Sequence, residues 1–426
     1  MLGAHRLSFA TPKKTLAPPV FFFYLCYTMT MRVIGTRAFG LRTPIVRESD
    51  DLAAIVCQSV KDAIEHEKVS INDGDIFGIT EAVVARSQGN YASLDQIAAD
   101  VRAKFSGANG HGHVGIVFPI LSRNRFAMLL KGIARGAEKI TVQLSYPADE
   151  VGNQLISWED VDDKNLNPYS DCLTEADYRR LFGETRHRFT GIDYVEYYKS
   201  LGNNIEIVLC SDPRRIVQFT DQVIAADIHT RARTKRAIAA AGAKKVIGID
   251  DILTEPVNGS GFNNLYGLLG SNKASEERVK LFPRDCDAFV QKMQKALNEL
   301  TGKNVEVLIY GDGGFKDPVG GIWELADPVI SPAYTSGLKG TPNELKLKYL
   351  ADNDFAGLSK DEARTAIEQA IRAKAGRDQM GKMESEGTTP RQITDLLGSL
   401  CDLVSGSGDK GTPAILIQGY FDNYSH

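Results

Sequence analysis

At 426 residues, 43% hydrophobic and 24% charged, the chain has the composition of a globular protein long enough for two or three domains. A formal net charge of -4 argues against a surface built to grip nucleic acid, and no nucleic-acid partner is expected. Six scattered cysteines (Cys26, Cys57, Cys172, Cys210, Cys286 and Cys401), with no C-x-x-C pair, argue against a disulfide framework or a zinc ribbon; they predict reduced thiols in a cytoplasmic protein.

Residues 1–30 read as a disordered extension or a mis-called start, because Met29 and Met31 stand just before the first patterned strand, expected at 32–36. The apolar run at 20–26 is too short to span a bilayer, and no membrane partner is expected. Ser49-Asp50-Asp51 can cap a helix with Leu52, Ile55, Val56, Val60 and Ile64 on one face. Asp73-Gly74-Asp75 turns into a strand at 76–80, and a second helix is expected at 94–105.

The glycine-rich loop at 106–113 predicts a domain boundary. Beyond it the pattern reads strand 114–118, helix 125–136 and strand 139–145, then a polar, aromatic stretch over 149–198. Strand 205–210, a long helix over 221–241 and strand 245–249 follow. Strands alternating with helices predict an α/β (mixed α+β) fold with a parallel or mixed sheet. After Pro256 come a glycine-rich stretch, a helix at 287–300 and a buried strand at 305–310. Helices at 360–374 and 392–404 and a strand at 414–418 close the chain.

The strand at 305–310 runs into Gly311-Asp312-Gly313-Gly314-Phe315-Lys316-Asp317-Pro318. Carboxylates on a flexible glycine turn at a strand's carboxyl end suit a hard divalent cation that keeps substrate phosphates in its shell. An ordinary turn with solvated acids is the competing reading. Arg123 and Arg125 precede a helix start, and Arg214 follows Cys210-Ser211-Asp212-Pro213 just after a strand; all three are candidates for a substrate anion. His111 and His113 lack an acidic or cysteine neighbour, so a zinc site is not expected there. The basic run around His229 reads as a solvated helix face.

Several of these segments together resemble one family. Asp50-Asp51-Leu52, Asp73-Gly74-Asp75, Ile79-Thr80 and Val83-Val84-Ala85-Arg86-Ser87-Gln88-Gly89 look like the N-terminal signature of coenzyme F(420)-0:L-glutamate ligases. Leu281-Phe282-Pro283-Arg284-Asp285, the Asp312 turn, Pro318-Val319-Gly320-Gly321-Ile322, and Asp402-Leu403-Val404 with Gly411-Thr412-Pro413-Ala414 look like its remainder. The resemblance implies a gamma-glutamyl ligase-like domain built from 31–105 and 265–426, around an inserted α/β segment at 106–264. It implies a homodimer that uses GTP, with ATP possible, and Mg²⁺ or Mn²⁺. L-glutamate would be joined to a deazaflavin phosphodiester, or to another acceptor such as a folate, through an acyl phosphate. Carried over by position, Asp312 is a metal ligand and the catalytic candidate. Gly40, Leu41, Arg42, Thr43, Thr80, Glu81, Arg86 and Ser275 fall on the nucleotide site. Asn272 and Ser407 take metal positions where the family has an acid and a glutamine, Arg86 replaces a lysine, and Lys410 replaces an acid. These departures motivate an alternative, a catalytically inactive nucleotide-binding protein of the same fold.

Overall fold

The computed structural model describes residues 34–107, 110–187, 190–311, 331–374, 378–388, 391–406 and 409–425. Its described residues form two compact units. One gathers 343–389 with the stretches up to Arg37 and from Gly419 on. Its helices Leu347–Asp352 and Lys360–Ala373 share a small core of Leu350, Ile367 and Ile371, and Ser359 with Glu362 caps the second helix. The other unit holds 38–342 and 390–418. The fold is mixed α/β, as the alternating pattern predicts.

Two sheets organise the larger unit. The first has the order Arg37–Leu41, Ala414–Gln418, Ile76–Thr80, Glu306–Tyr310. Ile76–Thr80 pairs in parallel with Glu306–Tyr310, ending with Thr80 opposite Tyr310, and antiparallel with Ala414–Gln418. Side chains alternate across a strand. Phe77, Ile79, Val307 and Ile309 therefore face one way, onto the helices Leu52–His66 and Cys286–Thr301 through Val56, Val60, Val290 and Met293. Gly78, Thr80 and Tyr310 face the other way, where the Ile393–Val404 helix lies.

The second sheet has the order Lys245–Gly248, Gln222–Ala225, His113–Val117, Lys139–Leu144, Ile205–Leu209, Leu173–Thr174. All neighbours are parallel except the Leu173–Thr174 edge. Its chain order reverses between His113–Val117 and Gln222–Ala225, which is the doubly wound arrangement.

The region predicted as one long helix over 221–241 is instead a buried strand, Gln222–Ala225, then a turn and the shorter helix Arg231–Ala240. Val223, Ile224 and Ala225 form an apolar run too short for periodicity to tell strand from helix. Among the described residues the first strand is Arg37–Leu41; of the strand expected at 32–36, residues 34–36 are outside any strand with Ile34 exposed, and Arg32 and Val33 lie outside the described residues. The aromatic stretch at 149–198 is a core segment, its Tyr178, Tyr194 and Tyr198 buried against the second sheet with Tyr146. Among the described residues no helix is long and apolar enough to cross a membrane.

Gly78 marks the tightest point of the first sheet. A Cβ there would sit 2.3 Å from Cys401 Sγ, so the Ile393–Val404 helix needs glycine beneath it. Gly78→Ala is expected to cost about 1–3 kcal/mol of stability through overpacking, read as a lower urea midpoint at unchanged m-value. A second change, Cys401→Ala, should recover part of that loss.

Candidate functional site

A cleft of about 540 Å³ opens where the carboxyl ends of Ile76–Thr80 and Glu306–Tyr310 meet the start of the Phe126–Arg135 helix. Three separated stretches of chain line it. Thr43, Val46, Thr80 and Arg86 come from the first; Asn124 and Arg125 come from the middle. Asn272, Tyr310, Asp402 and Ser405 come from the last.

The first wall is set by backbone pairing. The Thr43 amide donates to Gly411 O at 3.2 Å, and the Thr80 amide donates to Pro413 O at 3.0 Å. Gly40 permits this closeness, since a Cβ there would meet Thr412 at 2.9 Å. Arg86 closes the Glu81–Ser87 helix, and its Nε donates to Val46 O. That bond fixes the stem of the guanidinium, and among the described residues no carboxylate pairs with it. Arg86 is therefore a positioned, exposed cation at the rim.

The opposite wall comes from the doubly wound sheet. The chain leaves His113–Val117 through Phe118 in the left-handed region (φ 58°), rare for a bulky residue, and turns into the loop that carries Arg125. Ser122 ends that loop: its Oγ accepts from the Arg125 amide at 3.2 Å, and its carbonyl accepts from the Ala127 amide at 3.1 Å. Tyr198 accepts from the Ser122 amide at 2.8 Å and donates to Ile120 O at 2.7 Å. The Lys273 amide donates to Asn124 O at 2.7 Å, which ties this loop to the strand bearing Asn272. Arg125 is only 7% exposed.

Tyr310 forms part of the floor. It is 1% exposed, and among the described residues its hydroxyl has no partner at hydrogen-bond geometry, with Thr80 and Ser405 beside it. Burial pushes its pKa up, so the hydroxyl keeps its proton and is a donor awaiting an acceptor. A buried polar atom without a partner is costly, and its presence in a cleft points to a ligand.

The residues predicted from sequence divide as follows. Thr43, Thr80, Arg86, Arg125 and Asn272 are brought together in the cleft. Gly40 packs against Thr412, Leu41 lies in the core, and Arg42 is exposed; none of the three lines the cleft. Glu81 is buried behind the wall, where Lys280 Nζ donates to its carboxylate at 2.7 and 2.9 Å. Ser275 sits in the turn between Asn272–Lys273 and Arg278–Lys280, bonded through its amide to Arg278 O. Arg123 is exposed outside the lining, and the Arg214 guanidinium is held by Asp212 at 2.8 Å. His113 bonds Thr141 at 2.7 Å, and His229 precedes the helix it was expected to sit on. Asp312, Asp317, Ser407 and Gly408 lie outside the described residues. Sequence reasoning missed Tyr310, Asn124 and Asp402 as lining residues. Tyr310 reads as one more apolar strand residue, and only its place at the strand's carboxyl end distinguishes it.

For a divalent cation, the described lining residues that carry hard side-chain oxygens include Asp402, Asn272 and the hydroxyl residues Thr43, Thr80, Tyr310, Ser405 and Thr412. Such a set fits a hard ion that keeps waters and substrate phosphates as ligands. Among the described residues no three His, Cys, Asp or Glu side chains cluster to hold a metal ion.

Two predictions follow from this geometry. Tyr310→Phe removes a buried hydroxyl that has no partner, so the free protein is expected to keep its stability or gain up to about 1 kcal/mol. A loss above that size in urea unfolding would mean the hydroxyl is already bonded. The second concerns Asp149, which braces the Arg125 loop: its carboxylate accepts from the amides of Leu121, Val151 and Asn153 and from Asn153 Nδ2, at 2.7 to 3.1 Å. Burial nevertheless pushes its pKa up to about 6, against those lowering bonds. The folded chain then holds this proton more readily than the unfolded one between about pH 4 and pH 6. Its contribution to stability falls as pH rises through that window and is level above it. Asp149→Asn should lack that slope, a difference of up to about 2 kcal/mol between pH 4 and pH 7.

The family model described as F420-0:Gamma-glutamyl ligase matches residues 40–419, and the chain belongs to that family. No curated protein matches the chain.

Proposed function

We propose that this member of the F420-0:gamma-glutamyl ligase family joins the amino group of L-glutamate to a carboxylate of a phosphate-bearing acceptor, coenzyme F(420)-0 or a similar molecule, with GTP or ATP as phosphoryl donor. The observation that carries the proposal is the convergence of Thr43, Thr80 and Arg86, Asn272, and Arg125 on one cleft.

Each group has a role that its chemistry suits. A carboxylate is a poor electrophile, so its oxygen first takes the nucleotide's terminal phosphoryl group and the nucleoside diphosphate leaves. The glutamate amine then forms the amide bond as inorganic phosphate departs. Arg86, its stem already fixed on Val46, presents charge-assisted hydrogen bonds to the nucleotide phosphates. The protonated Tyr310 hydroxyl donates to an oxygen that gains charge during transfer. Arg125 receives the acceptor's anionic group at the opposite wall, and Arg123 stands outside it. Mg²⁺ or Mn²⁺, held by Asp312, Asn272, Asp402 and Ser407, would neutralise phosphate charge. The resemblance that suggests these roles also suggests a homodimer in the cytoplasm.

The test is to incubate the full-length protein with GTP or ATP, Mg²⁺ or Mn²⁺, L-glutamate and a panel of acceptors. A mass gain of one glutamyl unit on an acceptor is expected. Arg86→Ala should weaken nucleotide binding by about 10- to 100-fold in calorimetry, the worth of a charge-assisted bond. Asp312→Asn should keep the circular dichroism spectrum and lose turnover by orders of magnitude, with Asp317→Asn less affected. Nucleotide binding without turnover on any acceptor would favour the inactive nucleotide-binding alternative. Absence of nucleotide binding would sink both.

A further inference from the structure

Two thiols outside the cleft face each other at the edge of the six-stranded sheet. Leu173–Thr174 runs antiparallel to Ile205–Leu209, with Leu173 opposite Leu209 and Thr174 opposite Val208. Continuing this register by one residue sets Cys172 opposite Cys210. The Cys210 amide donates to Leu144 O at 2.9 Å, and its carbonyl accepts from Gln143 Nε2 at 2.9 Å. Both bonds run to the Lys139–Leu144 side, away from the edge strand. Cys172 and Cys210 are therefore a non-hydrogen-bonded antiparallel pair, the type whose Cα atoms approach to about 4.5 Å. Disulfides span Cα separations of about 4.4–6.8 Å, so the backbone need not move to allow one.

Neighbouring bonds hold the pair in place. The Ser211 amide donates to Pro168 O at 2.9 Å, and the Tyr146 hydroxyl donates to Asp171 O at 2.8 Å. The neighbouring sulfurs perturb each other, which lowers the pKa of Cys210 and raises that of Cys172, and Arg215 adds nearby positive charge. Cys172 is partly exposed and gives a small oxidant a way in, while Cys210 is buried. By contrast, burial raises the thiols of Cys57, Cys286 and Cys401, which suppresses their thiolates.

We propose that Cys172 and Cys210 are a reversible oxidation site, closing to a cross-strand disulfide when the protein meets a hydroperoxide or a small-molecule disulfide. The thiolate sulfur attacks one peroxide oxygen and the other leaves as water after protonation. The resulting sulfenic acid is attacked by the second sulfur, and its hydroxyl leaves as a second water. Two thiols lose two electrons and two protons, and one hydrogen peroxide becomes two waters. With a small disulfide, exchange through a mixed disulfide releases two small thiols. A resolving neighbour stops oxidation at its reversible stage and staples the edge strand to the sheet.

The test treats the full-length protein with hydrogen peroxide, blocks remaining thiols with N-ethylmaleimide and digests with trypsin. The peptides 165–179 and 200–214 should appear joined, about 2 Da lighter than their sum, and dithiothreitol should release them. Cys172→Ser and Cys210→Ser should each abolish the joined species. Oxidised glutathione should yield the same link. The proposal is overturned if both peptides carry the blocking group at a peroxide dose that oxidises a control peptide thiol. It is equally overturned if Cys172 or Cys210 advances to sulfinic acid without linking. Because the wild-type digest carries the decision, a variant that folds poorly does not obscure it.

Discussion

The larger unit depends on a buried ion pair. Lys280 Nζ meets the Glu81 carboxylate at 2.7 Å with both side chains nearly sealed from water. Glu81 opens the helix that ends in Arg86, and Lys280 closes the strand that pairs with Asn272. One interaction thus fastens two walls of the cleft to each other. Removing Lys280 leaves the Glu81 carboxylate without its buried counter-charge, a change worth about 3–5 kcal/mol in comparable settings. Such a pair is a poor source of net stability, because desolvation offsets the attraction. What it supplies is register. Asn90 works alongside it, donating to Phe262 O and Phe282 O and accepting from the Phe262 amide, so the glycine-rich stretch is held to the same framework.

The cleft also explains why the middle of the chain matters. The motifs that carry the sequence resemblance fall in the first and last stretches, whereas the family model matches 40–419 throughout, and Asn124 and Arg125 reach the cleft from the doubly wound sheet. They arrive by a loop that leaves a strand beside the point where the chain order reverses, which is where such sheets place ligands. Tyr198, Ser122 and Asp149 hold that loop by side-chain bonds to its backbone. The wall that carries Arg125 is thus held by bonds independent of the strands that form the opposite wall.

Strands and helices with clear periodicity were legible in the sequence. The helices at Leu52–His66, Leu94–Phe105 and Cys286–Thr301 carry one apolar face each, and Ala414–Gln418 is an unbroken apolar run. Gln222–Ala225 was not legible, because four residues hold too little pattern and the polar segment after them continues a plausible helix. The stretch at 149–198 reads in sequence only as polar and aromatic, and the packing shows Tyr178 and Tyr198 at the centre. For the cleft, Thr80 and Arg86 were reached only through the family resemblance, and they lie on one strand-to-helix step. The Lys280–Glu81 pair spans almost two hundred residues of chain and has no local signal. The Tyr310 hydroxyl becomes informative only when its lack of a partner is seen.

The position of Ala414–Gln418 governs when the protein can assemble. That strand lies between Arg37–Leu41 and Ile76–Thr80, and among the described residues it is the sheet neighbour of Arg37–Leu41. On a ribosome the six-stranded sheet, complete by Gly248, can form while the rest is still being made. The four-stranded sheet stays open until its inner strand emerges, leaving one edge of Ile76–Thr80 without that partner until then. The cleft, lined in part by Gly411, Thr412 and Pro413 at the start of that strand, therefore cannot close before Ala414–Gln418 has been made.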